Sequence, residues 1–225
     1  MRRSRFVGCF RDWQNARSCL KSIMPAVLDP PRRKRSAPPE LAPPHDHLTV
    51  VWDTTWPFYL QLDAKLEGSS SRVSYLKGRL DIMTLSIDHE RIKGNLSHLI
   101  ASHCLDEGVE FATQGSATLR IPRDRGKEPD DSFVFGELKK SRPDMVLEVV
   151  ITSGSIDKLE FYAPFRIPEV WVWESSGLNV FILDGGRYRK AKKSKLLPKF
   201  DAALAGSLAT CPSTSQAVRE FRKGR

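Results

Sequence analysis

The sequence predicts an α/β fold, a mixed β-sheet flanked by helices, and three observations carry that prediction. Apolar residues alternate in RVSYLKGRLDIM (72 to 83) and then recur three and four apart at Ile92, Leu96, Leu99 and Ile100, so the period changes from strand to helix. The run DMVLEVVI (144 to 151) is apolar on both faces but for one internal acid, the pattern of a central strand covered on both sides. The order helix, strands, helix, strands completes the assignment.

Each element has its own signal. Two short strands meet around Lys77 and Gly78. DHERIKGNLSHLIASHCLDEG is an amphipathic helix with Ser86 or Asp88 as N-cap and Gly108 as its stop. SATLRIP (116 to 122), DSFVFG (131 to 136) and DMVLEVVI follow as strands. Glycine and serine in TSGS open a short helix, IDKLEFYAPF, which ends near Pro168. EVWVWE and NVFILDGGRYRK come next, the latter a hairpin turning at Asp184, Gly185 and Gly186. STSQAVREFRKGR is a capped terminal helix with Val218 and Phe221 on one side.

The 225 residues fit one domain with appendages, and eleven Phe, five Trp and four Tyr suffice for a packed core. No apolar run is long enough to cross a bilayer, so a soluble protein without a membrane partner is expected. The net charge of +9 is unevenly placed: residues 1 to 36 carry +8, residues 187 to 225 carry +9, and the stretch between carries −8. A nucleic-acid surface built from the two basic ends and solvated tails on an acidic domain both agree with this distribution. PPRRKRSAPPELAPPHD (30 to 46) holds six prolines and a basic cluster and cannot bury apolar surface. Residues 1 to 46 are therefore read as a disordered basic tail, and 47 to 225 as the folded domain. The first residues have a transit-peptide composition without a secretory core, and Met24 is a second candidate start. Cys9, Cys19, Cys104 and Cys211 show no CxxC or short Cys/His spacing, which argues against zinc and a disulfide framework. A reducing, cytoplasmic setting is expected.

Two carboxylates stand out. Asp130 opens a strand in EPDDSFVF, and Glu148 lies among valines and leucines, where an unpartnered charge costs several kcal/mol of desolvation. From the residues alone two readings stand: Glu148 binds a divalent cation, or it pairs with an Arg or Lys of a neighbouring element. Hard oxygen ligands would favour magnesium or manganese over zinc.

GRLDIMTLSIDHERIK, GSATLRIP, KEPDDSFVF and RPDMVLEVVITSGSIDKLEFYAPFRIPEVWVWE together resemble the Uma-two family of restriction endonucleases, a branch of the PD-(D/E)XK nuclease superfamily, from about residue 56 to the terminal helix. The resemblance implies a restriction endonuclease-like sheet on which Asp130, Glu148 and the main-chain carbonyl of Val149 hold Mg2+ or Mn2+. It implies cleavage of DNA phosphodiesters, and assembly as a homodimer is compatible with it. The superfamily's usual lysine position, two residues after the glutamate, is Val150 here. Residues 148 and 150 share a strand face about 6.6 Å apart, so the missing ammonium would start beside the metal. The resemblance implies that Lys158 on the following helix replaces it, with Tyr162 one turn on, and that His89 lies near the site as an accessory group. Asp144 is expected to begin its strand rather than bind metal, and Asp131 to face away from Asp130. The family often has an acid where this chain has Gly154, and a Tyr-Glu pair where it has Val73 and Ser74. A third acidic ligand is accordingly not assigned. A non-catalytic nucleic-acid-binding or partner-binding module on the same fold is the rival reading.

Overall fold

A computed structural model describes residues 45–152 and 154–224. The expected tail falls outside the described residues except for its last two positions, of which Asp46 is buried.

Five strands form one antiparallel sheet in the order β1, β3, β2, β6, β5: β1 (His47–Val51), β2 (Ser71–Leu76), β3 (Arg79–Thr84), β5 (Leu119–Ile121) and β6 (Arg125–Lys127). The β2–β3 turn lies at Lys77 and Gly78, both with positive φ (47° and 93°), the two-residue primed turn that matches strand twist. Against β2 packs α1 (Trp56–Leu66), started by the Thr55 side chain and a proline in its first turn. Tyr59 of α1 stacks on Tyr75 of β2, with Val73 and Leu80 completing a small apolar cluster.

Gly126 in β6 is there for space. A Cβ at this position would lie 2.7 Å from the ring carbons of the fully buried Tyr59, and closer still to its hydroxyl. Gly126→Ala is therefore expected to cost roughly 1–3 kcal/mol through overpacking, read as a lower urea midpoint. A midpoint equal to wild type would show that Tyr59 can yield.

The second sheet is mixed, in the order β11, β10, β9, β8, β7, β4. Its strands are β4 (Phe111–Thr113), β7 (Asp131–Phe135), β8 (Met145–Val149), β9 (Glu169–Glu174), β10 (Gly177–Asp184) and β11 (Arg187–Ala191). Only β8 and β9 run parallel, and the chain between them crosses over through α3 (Lys158–Tyr162) and a 3₁₀ turn (Ala163–Phe165). All five residues of β8 are buried, as its two-faced apolar pattern predicts. Met145, Leu147 and Val149 point to a large core shared with α2 (Ile87–Glu107), α4 (Ala202–Leu208) and α5 (Thr214–Lys223). Val146, Glu148 and Val150 point the other way, where Val146 meets Ile156, Phe161 and Tyr162 around α3. The helix α2 starts where Ser86 accepts the His89 N–H at 3.1 Å and stops at Gly108, whose φ of 67° is the left-handed stop expected of it. This arrangement sets three things around Glu148: the start of α2, the start of α3, and strand β6 of the other sheet.

Candidate active site

Strand register brings the two carboxylates together. β7 and β8 are antiparallel with Asp131 opposite Leu147, and one further step places Asp130, just before β7, opposite Glu148. Directly opposed residues have Cβ atoms about 4.5–5.5 Å apart on one face. Asp130 Oδ2 accepts the Val149 N–H at 2.7 Å, which fixes its carboxylate against the end of β8.

Glu148 is fully buried. Its Oε1 accepts hydrogen bonds from Lys127 Nζ and from the Tyr162 hydroxyl, while Lys158 Nζ stands 3.2 Å from Oε2. Oε2 itself is buried without a hydrogen-bond partner. Glu169, equally buried on β9, behaves differently: it accepts from the Trp171 indole, the Ser194 hydroxyl and the Lys195 and Leu196 N–H groups, so both oxygens are served by neutral donors. A glutamate needed only for architecture can thus be satisfied without any cation. Glu148 instead gathers two ammonium groups and keeps one oxygen free of hydrogen bonds.

The cations respond to this setting. Burial pulls the Lys127 ammonium down to about 8, with the attraction of Glu148 offsetting part of that loss. Burial also disfavours the charged form of Lys158, but Glu148 and Asp130 outweigh it and hold this lysine above its ordinary value. Burial and the Glu148 charge push the Tyr162 phenol well up, so it remains a donor.

His89, in the first turn of α2, links Asp130 to a third acid. Its Nδ1 lies 2.9 Å from Asp46 Oδ2 and its Nε2 lies 3.3 Å from Asp130 Oδ1. Asp46 is held in turn by the Ser86 N–H at 2.8 Å and hydroxyl at 2.6 Å. Burial opposes a charge on His89, yet the two flanking carboxylates outweigh it and raise the imidazole to about 9. Asp130 moves the opposite way: burial works against its ionisation, and His89, Lys127 and Lys158 together hold it well below the usual carboxylate range.

A folded-state value of about 9 against the ordinary 6.5 means that the protonated imidazole stabilises the fold fully below about pH 6.5. That stabilisation is lost as pH rises through 9. Compared with His89→Gln, the wild type is expected to be more stable by about 3 kcal/mol at pH 6 and to lose that advantage by pH 10, measured by urea unfolding at both values. A pH-independent difference would remove the imidazolium from the account.

Lys158 is carried to the site by an anchored loop. Asp81 on β3 accepts the Ile156 N–H at 2.6 Å, and Arg79 binds both Asp81 oxygens and the Gly154 carbonyl. Asp157 caps α3 through the Glu160 N–H at 2.8 Å, so Lys158 is the first residue of the helix.

The structure therefore gathers Asp130, Glu148, Lys158, His89 and Tyr162, and Val149 lines the same small cavity. Asp144 lies elsewhere, accepting the Phe135 N–H and pairing with Lys140. Asp131 turns away to Ser97 of α2. Ser74 also lines the cavity. Sequence reading missed Lys127 and Asp46. Lys127 sits three residues before Asp130 in a strand of only three residues, too short for any periodicity to mark it. Asp46 closes a proline-rich stretch whose composition pointed only to a linker. Both meet the site through contacts distant along the chain.

Comparison with known proteins adds three findings. Residues 56–205 match a family model described as "Uma2: Putative restriction endonuclease". No curated protein matches the chain. Among solved structures, the chain is similar to a "putative nuclease belonging to DUF820" from Anabaena variabilis, with 12% sequence identity and a TM-score of 0.46 over 75% of this chain and 99% of that one. With two thirds of its length matched in one stretch, the chain belongs to the Uma2 family.

Proposed function

We propose that the protein is an endonuclease that hydrolyses DNA phosphodiesters with Mg2+ or Mn2+. The observation that supports this best is the Asp130–Glu148 pair on neighbouring strands, with Glu148 Oε2 buried, free of hydrogen bonds and 3.2 Å from Lys158 Nζ. The donors fit such a cation: two carboxylates and the Val149 carbonyl are hard oxygen ligands, and waters commonly fill the remaining positions. When bound, the cation would acidify a water and stabilise charge on the phosphate oxygens.

The remaining work falls to the chain's own residues. His89 keeps Asp130 ionised and aimed, Lys127 and Tyr162 fix Glu148 through Oε1, and Lys158 is placed to meet a phosphate oxygen or orient a water. The small cavity lined by His89, Lys127, Asp130, Val149 and Lys158 measures about 40 Å³, room for an ion with a few waters, so the polymer would lie across its mouth. Exposed Arg187, Arg189, Lys190, Lys192 and Lys193 on and after β11 offer the positive charge that phosphate contacts require.

One observation favours a second reading, a non-catalytic binding module: Glu148 is already compensated by two ammonium groups. Incubation with supercoiled plasmid separates the two. The nuclease yields nicked circles with Mg2+ or Mn2+ and none with chelator, whereas DNA binding without nicking under every condition supports the module.

A further inference from the structure

The two lysines on Glu148 are not equivalent. Lys127 comes from β6, whose three residues are all buried, and its side chain is 5% exposed. It donates to Oε1 beside Tyr162, so moving it would strip a hydrogen bond from a fully buried carboxylate. Lys158 stands at the first position of a five-residue helix, after a loop containing Gly154, and its side chain is 17% exposed. It pairs with Oε2 by charge at 3.2 Å but leaves that oxygen without a hydrogen bond.

The oxygen that Lys158 neutralises is the buried one without a hydrogen bond. An ammonium and a divalent ion repel strongly at such range in a poorly solvated pocket, so they would not share Oε2. Resting on the metal-dependent reading above, we propose that Lys158 is the resting counter-ion of Glu148 Oε2, that a divalent cation enters only by displacing it, and that an incoming phosphodiester receives the displaced ammonium. Cation and nucleic acid then bind cooperatively, each strengthening the other by the same factor. Lys127 stays in place throughout as the permanent partner of Oε1. The arrangement keeps the buried carboxylate compensated at rest and opens the cation site when a phosphate is present to take the lysine.

The test uses the full chain, Mn2+ titrated by calorimetry, and an oligonucleotide with a hydrolysis-resistant phosphorothioate backbone. Without oligonucleotide, Lys158→Met is expected to bind Mn2+ about tenfold or more tightly than wild type. The oligonucleotide should tighten Mn2+ binding to wild type by about tenfold and change that of Lys158→Met by no more than about twofold. In parallel, reductive methylation of wild type read by mass spectrometry should show Lys158 becoming more reactive on Mn2+ addition while Lys127 does not. This arm decides the matter even if Lys158→Met fails to fold. Unchanged Lys158 reactivity, or a Lys158→Met protein that binds Mn2+ like wild type and keeps its response to oligonucleotide, overturns the exchange. Asp130→Asn separates the two levels: if it loses Mn2+ affinity while Lys158→Met behaves as wild type, only the exchange fails. If Asp130→Asn binds Mn2+ unchanged, or no protein binds Mn2+, the cation site itself is wrong and the exchange falls with it.

Discussion

Glu148→Gln is expected to abolish plasmid nicking and to destabilise the fold, whereas Asp130→Asn abolishes nicking at a smaller cost in stability. The difference follows from what each carboxylate holds. Two ammonium groups face Glu148 from separate elements, and a neutral amide leaves both without their nearest anion, with Asp130 the remaining one. Removing one partner of a buried ion pair costs about 3–5 kcal/mol. Lys127, already drawn down to about 8 by burial against the pull of Glu148, can limit that loss by giving up its proton. Asp130 is held by the Val149 N–H, which an asparagine oxygen can still accept, and His89 keeps its second partner in Asp46. The loss there should approach that of one charge-assisted hydrogen bond, about 1.5–3 kcal/mol. Urea midpoints measure the stability ranking, and calorimetry with Mn2+ measures the site. Cation affinity unchanged in both variants would remove Asp130 and Glu148 from the metal, and unchanged nicking would remove them from the mechanism.

What the sequence made legible was local. The start and stop of α2 are written in Ser86 and Gly108, the β2–β3 turn in Lys77-Gly78, and the burial of β8 in an apolar run on both faces. The division of the strands into two sheets was not legible. SATLRIP marked β5, but β4 and β6 have three residues each and carry no alternation to read. The helix α1 went unassigned because WPFYLQLDAKL buries only Tyr59 and so shows no clear apolar stripe. At the site, the family motifs brought Asp130, Glu148, Lys158, Tyr162 and His89 into view, and the structure gathers them. Lys127 and Asp46 act on their partners from 21 and 43 residues away, a pairing that only the folded chain reveals. Of the two readings of Glu148 that the residues left open, the structure shows the pairing with neighbouring lysines. The lysines occupy it differently, one at each oxygen.

That asymmetry shapes the outcome of Lys158→Ala, which is expected to lose activity while keeping most of its stability. Oε1 of Glu148 retains Lys127 and Tyr162, so the carboxylate is not orphaned, and Lys158 is the more exposed of the two lysines. A positioning or proton-transfer group is typically worth about a hundredfold to ten-thousandfold in rate, and nicking should fall within that range. Mn2+ binding should persist because both carboxylates remain, and it should tighten as in Lys158→Met because no ammonium has to be displaced. The same substitution allows the lysine's position to be tested. Val150 shares the face of β8 with Glu148 and Val146, its N–H donates to the Trp173 carbonyl at 2.9 Å, and its side chain is only partly buried. Val150→Lys in the intact protein adds a third ammonium beside Lys127 and Lys158 and presses a longer stem against the apolar cluster around Ile156, so it should impair nicking. In the Lys158→Ala background only Lys127 remains as a like charge, and Val150→Lys supplies a second ammonium from the strand instead of the helix. Part of the lost rate should return. Nicking rates of the four proteins, taken with their Mn2+ affinities, measure this directly. Full activity in Lys158→Ala would return Lys158 to the helix surface, and an inactive double variant that still binds Mn2+ would show that the ammonium must come from α3.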